Sequence, residues 1–102
     1  MSRKLVVFGP ADALDDVREA LFAAGAGRIG QYERCAWYII GTASFRALPG
    51  ANPATGRVGQ DEHVPEFRLE TTFPKEKQEV VIAAMRRAHP YEEPAFNIYE
   101  LL

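Results

Sequence analysis

The residues best suited to chemistry stand together in one hexapeptide, His89-Pro90-Tyr91-Glu92-Glu93-Pro94, which carries an imidazole, a phenol and two carboxylates. Imidazole and carboxylate are ligand types for zinc, copper and other divalent ions, and a thiolate would strengthen such a set. Cys35 is the only thiol in the chain, so the candidate metal set is His89, Glu92 and Cys35, with Glu93 and Tyr91 behind them. A hexapeptide does not complete a metal site alone, and the remaining ligands must come from Cys35, His63 or another copy of the chain. The same residues have a purely structural reading. His89 caps the last carbonyls of a helix, Pro90 and Pro94 stiffen the crossing that follows, and the glutamates stay in water.

Cys35 could also act as a nucleophile, which requires a base and a group to orient it. The imidazoles available are His63 and His89, and nothing in their spacing places either beside it. A cysteine entering an apolar strand reads first as a small packed hydrophobe. The glycines between residues 49 and 63 follow no phosphate-binding pattern, and Gly25-Ala26-Gly27 ends a helix instead of opening one, the wrong polarity for phosphate. Tyr32, Trp37, Tyr38 and Phe45 could stack on bases, but no basic signature accompanies them, so packing or an interface explains them better.

The elements that must position these groups follow from periodicity. Leu5 to Phe8 is an apolar run ending at Gly9-Pro10 and reads as a buried strand. Pro10 and three aspartates open a helix whose face is Leu14, Val17, Leu21 and Ala24, stopped at Gly25. Tyr32 to Ile40 reads as a strand, with a bulge or hairpin possible at Gly41. Residues 49–63 read as a loop. Phe67, Leu69, Thr71 and Phe73 alternate with polar residues in a half-buried strand. Pro74 opens a second helix, with Val80, Val81, Ala84, Met85 and Ala88 on one face, and Ala95 to Leu102 forms a last strand.

A shift of 64 residues superimposes the two halves: Leu5 falls on Leu69, Pro10 on Pro74, Val17 on Val81, Ala20 on Ala84 and Ala24 on Ala88. That repeat predicts an α+β ferredoxin-like β-α-β-β-α-β sandwich, a single domain over 1–102 with both helices on one face of an antiparallel sheet. The symmetry breaks where Gly25 is replaced by His89. Leu5 to Phe8 and Trp37 to Ile40 are apolar on both strand faces, so the helix-free face needs a cover, and another copy of the chain is the cheapest one.

A net charge of −2, with 25% charged residues, gives no basic surplus for nucleic acid or an anionic membrane. No stretch approaches the roughly 20 apolar residues that span a bilayer. One cysteine and an N-terminal apolar run too short for a signal peptide point to the cytoplasm.

Five segments carry a family resemblance: Lys4 to Phe8; Val17 to Gly30 with Tyr32 and Cys35; Gly41-Thr42 through Phe45-Arg46; Gly50 to Pro53 with Gly56; and His89 to Ala95. The chain resembles the small domain inserted in bacterial members of the Nif-three-like (YqfO) family. The resemblance implies a fold akin to the CutA divalent-cation-tolerance proteins, which form trimers, and to PII-type signalling proteins. The di-metal centre of full-length Nif-three-like proteins belongs to their other domain, so its ligands are not carried over. Ala36 to Ile40 is more apolar than the serine-rich stretch of the family, which favours an interface there.

The expectation is a non-enzymatic homo-oligomer, trimeric by resemblance, that senses a small ligand or binds a divalent metal such as copper or zinc. The alternative is an assembly domain without a ligand. An enzyme dependent on Cys35 ranks third.

Overall fold

The computed structural model describes residues 1–53 and 56–102; Ala54 and Thr55, part of the loop expected over 49–63, lie outside the described residues. The order of elements is β1 (Ser2–Pro10), a 3-10 turn (Ala11–Ala13), α1 (Leu14–Ala23), β2 (Trp37–Arg46), β3 (Asp61–Pro74), a second 3-10 turn (Lys75–Lys77), α2 (Gln78–Ala88) and β4 (Phe96–Glu100). The sheet is antiparallel throughout with strand order β2-β3-β1-β4, which is the expected β-α-β-β-α-β arrangement.

The internal repeat extends to the backbone angles. Pro10 and Pro74 sit at φ/ψ −62/141° and −64/141°, and each opens a 3-10 turn. Ala13 and Lys77 then sit at −96/0° and −97/6°, just before each α-helix begins. Proline sets φ and the missing N–H removes a donor that a helix start leaves unpaired, so the same grammar yields the same entrance twice.

The helix ends differ. Gly25 takes φ 102°, and the amides of Gly25 and Ala26 return to the Phe22 and Leu21 carbonyls in a Schellman motif. His89, its counterpart, is extended at −82/131° and sends the chain straight toward β4.

One face of the sheet packs against the helices. Leu5 and Val7 of β1, Phe67, Leu69 and Phe73 of β3, Val17 and Leu21 of α1, and Val81 and Met85 of α2 form the core. Each such side chain contributes about 1.5–3 kcal/mol when fully buried. Val80, expected on the core face of α2, lies exposed, and Ile82 packs against the core instead.

On the opposite face of the sheet, Val6 is also buried. Around it, Lys4 and Arg68 both bond Glu70, at 3.3 and 3.1 Å, and the Arg68 guanidinium lies 5.6 Å from the Phe8 ring centre. Long charged side chains thus shield part of the face left free of helices.

Gly41 produces neither bulge nor hairpin: β2 pairs with β3 without a break from Trp37↔Glu70 to Arg46↔Asp61. β3 therefore starts at Asp61, inside the expected loop. Beyond Pro10↔Glu66 there is no β1 partner, so residues 42–46 and 61–65 form a two-stranded arm. Pro65 lies in that arm, where β3 has no neighbour on the β1 side and its missing N–H costs nothing to the β1 ladder. The principal extents of 48 × 24 × 22 Å reflect this elongation.

Candidate functional site

His89 ends α2 beneath the last residues of β1. It is 6% exposed, and its Nε2 lies 2.6 Å from the Phe8 carbonyl oxygen. Its Nδ1 accepts the Tyr91 amide at 3.1 Å. The second bond requires a lone pair on Nδ1, so the proton sits on Nε2 and is donated to Phe8. The ring leans on Tyr91 at 5.1 Å and on Phe67 at 6.4 Å between centroids. Gly9 makes room for it: a Cβ there would come within 2.7 Å of the Phe67 ring and 2.8 Å of His89 Nε2.

The candidate metal set does not assemble within one chain. Both His89 nitrogens are occupied by backbone partners. Glu92 and Glu93 point to solvent, as does Pro90, while Pro94 is half-buried. Cys35 lies elsewhere: its amide donates to the Gly27 carbonyl at 2.8 Å, and its carbonyl accepts the Thr71 hydroxyl at 2.8 Å. Thr71 stands opposite Leu5, three residues along β1 from Phe8, or about 10 Å of strand. Among the described residues no three His, Cys, Asp or Glu side chains converge to hold an ion.

Cys35 also lacks the surroundings of a nucleophile. Among the described residues its thiol reaches only the Glu33 carbonyl, at 3.8 Å. His63 sits in the arm opposite Ser44, eight residues along β3 from Thr71, about 26 Å of strand. The other imidazole arrangement, Cys35 with His89, is separated within the chain by the strand length of about 10 Å described above.

A different constellation does form beside the His89 corner. Tyr91 leans over the helix-free face of the sheet and, with Pro10, Phe45, Val64 and Glu66, lines a cleft of about 420 Å³. Pro10, Glu66, Val64 and Phe45 come from β1, β3 and β2, whose pairing brings their alternate residues to this face. Glu66 is half-buried. Burial pushes its carboxyl above the usual glutamate range, against the opposing pull of the His89 imidazole, and no hydrogen bond contributes. The Tyr91 phenol is likewise pushed up, first by burial and then by the negative charges of Glu66 and Asp12. No lysine or arginine lines the cleft among the described residues.

Tyr91 and Phe45 were legible as individual residues, but Glu66 was not. In the alternating strand it reads as one more solvent-facing polar partner. Only the pairing of three separate strands shows that its face is walled by apolar side chains.

Comparison with known proteins agrees with this fold. No family model matches the chain. It is 50% identical over 99 residues to the GTP cyclohydrolase 1 type 2 homolog of Mycobacterium tuberculosis, covering 97% of this chain and 26% of that protein. It is also 50% identical over 97 residues to the protein of the same name from Bacillus subtilis, again covering 26% of it. The chain thus spans about a quarter of the length of these relatives and is homologous to that segment.

Among solved structures, a Bacillus cereus protein related to NIF3 superimposes with a TM-score of 0.85 at 44% identity, over 98% of this chain and 25% of that one. The periplasmic divalent cation tolerance protein CutA from Archaeoglobus fulgidus gives a TM-score of 0.70 at 16% identity, over 99% and 84%. The fold is therefore CutA-like, as the sequence resemblance implied.

Proposed function

We propose that this chain, homologous to a quarter-length segment of the GTP cyclohydrolase 1 type 2 homologues, is a non-enzymatic homo-oligomeric module that senses a small ligand. The observation that carries assembly is β2. It is an edge strand of ten residues, and Trp37, Tyr38, Ile39 and Ile40 remain 56, 44, 53 and 50% exposed in the isolated chain. Successive side chains point to opposite faces, so β2 is apolar on both sides and its outer backbone groups are unpaired. Long apolar edges of this kind pair with another chain unless they are blunted by charge, proline or a bulge, and Trp37 to Ile40 has none of these. The other edge, β4, has only five residues.

The trimer implied by the CutA resemblance is one assembly that would cover β2. Light scattering at micromolar concentration should give a multiple of the monomer mass. Ile39→Lys with Trp37→Lys should reduce it to the monomer while the far-ultraviolet circular dichroism is retained. A wild-type monomer at that concentration would remove the assembly reading.

The non-enzymatic reading is supported by the separation of Cys35 from both imidazoles. A cytoplasmic setting is supported by the single unpaired cysteine. The engagement of both His89 nitrogens favours a second reading for the metal question, an assembly in which no copper or zinc is bound. Calorimetric titration of each ion into the oligomer separates the two: saturable heat that disappears in Glu92→Ala would restore a metal site shared between copies.

A further inference from the structure

We propose that the cleft between Tyr91 and the helix-free face of the sheet binds a small organic amine, with its ammonium on Glu66 and its apolar body against Phe45, Val64 and Pro10. This rests on the reading of the chain as a ligand-sensing module and names the site and the chemical class.

The unusual member of the cleft is Glu66. Two other carboxylates of β3 have cationic partners: Glu70 bonds Lys4 at 3.3 Å and Arg68 at 3.1 Å, and Asp61 bonds Arg46 at 2.7 Å. Arg68, two residues from Glu66, turns toward Glu70 and the Phe8 ring, away from the cleft. Glu66 is thus left half-buried among apolar walls, with no lysine or arginine paired to it among the described residues. A carboxylate that loses water without gaining a partner is unfavourable, and a cation entering the same space reverses that. The cavity of about 420 Å³ lies in the range of small-ligand sites and suits a body of one ring.

Charge and surface select the class. Glu66 and Asp12 both place negative charge near Tyr91, which disfavours an anionic ligand. A neutral apolar ligand would strip water from Glu66 and offer nothing in return. An ammonium is attracted by the carboxylate and by the faces of Tyr91 and Phe45. The phenol oxygen of Tyr91 can accept a second N–H.

Calorimetric titration of the intact oligomer with benzylamine, benzyl alcohol and benzoate tests the assignment. Benzylamine should saturate one site per chain and bind at least tenfold more tightly than benzyl alcohol, with benzoate weaker still. Glu66→Gln, which keeps the shape, should lower benzylamine affinity about tenfold and leave benzyl alcohol unchanged. Lowering the pH should weaken benzylamine binding as Glu66 protonates, starting above the usual glutamate range. Tyr91 also lines the cleft, and the charges of His89 and Asp12 act on Glu66 and Tyr91 respectively, so the Glu66 contribution is the part of the pH dependence missing in Glu66→Gln.

Equal binding of amine and alcohol, dependent on Val64→Ala but not on Glu66→Gln, would overturn the amine while leaving a ligand-sensing cleft. Absence of saturable binding by all three compounds to millimolar concentration would overturn the cleft as a ligand site. A change of oligomer mass in Glu66→Gln would show that a neighbouring copy fills the cleft, which also overturns the proposal. Wild-type mass is read in the same samples, so assembly through β2 is judged separately.

Discussion

Replacing His89 with alanine separates a structural role from a ligand role. The substitution deletes the donor to the Phe8 carbonyl and the acceptor for the Tyr91 amide, at 2.6 and 3.1 Å. Tyr91 lies in an exposed turn, where water can take over its amide, so the penalty falls mainly on Phe8. A buried carbonyl deprived of its partner costs about 1–3 kcal/mol. The ring also fills space against Phe67 and Tyr91, and the void left by a methyl group adds about 1–2 kcal/mol. The sum is about 3 kcal/mol, which for a chain of 102 residues lowers the melting temperature by about 12–15 °C. Urea and thermal unfolding, followed by circular dichroism at one fixed protein concentration, measure it. His89→Gln offers an amide N–H near the Nε2 position and should recover about half of the loss. A change below about 1 kcal/mol in His89→Ala, accompanied by loss of copper or zinc uptake, would refute the reasoning and return His89 to the metal set.

Thr71→Val keeps the volume of a buried side chain and removes its bond to the Cys35 carbonyl. It should cost about 1–2 kcal/mol and speed amide exchange at Gly27 and Cys35, whose backbones bond Thr72 and Gly27; unchanged exchange would show that Thr71 does not anchor this segment. Burial raises the Glu70 carboxyl, but Arg68 and Lys4 more than offset this and hold it below its ordinary value of 4.5. A depressed folded-state value means that the ion pairs stabilise above about pH 4.5 and that this contribution fades as pH falls through the lower, folded-state value. The loss should be at most about 1 kcal/mol, since the network is partly solvated. Glu70→Gln should flatten that part of the curve of urea midpoint against pH, and an identical curve would count against it.

Much of the fold was legible because local rules and the global arrangement agree. Pro10 and Pro74 begin the same turn with the same angles, and the 64-residue repeat that they mark is the repeat of the fold. The boundaries of β2 and β3 were less accessible. The strand expected from Tyr32 begins only at Trp37, because Ile29 and Tyr32 bridge each other across Gly30 at φ 58°, and Arg34 takes φ 60°. Residues 61–63 read as loop because Asp61, Glu62 and His63 carry no apolar alternation. That pattern signals burial, and no residue of 42–46 or 61–65 is fully buried.

The site divided in a similar way. The hexapeptide from His89 is dense in ligand-type side chains, but its imidazole serves the backbone. The carboxylate that shares its neighbourhood, Glu66, lies 23 positions earlier in the chain, and only strand pairing brings it there.

The pairing of β1 with β4 has a consequence for how this unit can be combined with others. Arg3 stands opposite Glu100, and the Leu101 amide donates to the Ser2 carbonyl at 3.1 Å. The two extremities of the fold therefore meet as neighbours on adjacent strands, about 5 Å apart. A unit of this shape can be spliced into a surface turn of a host domain with little loop-closure entropy, since the host need not stretch to receive it. The same geometry would let the natural extremities be joined by a short linker and new ones opened in an exposed turn, leaving the sheet order unaltered.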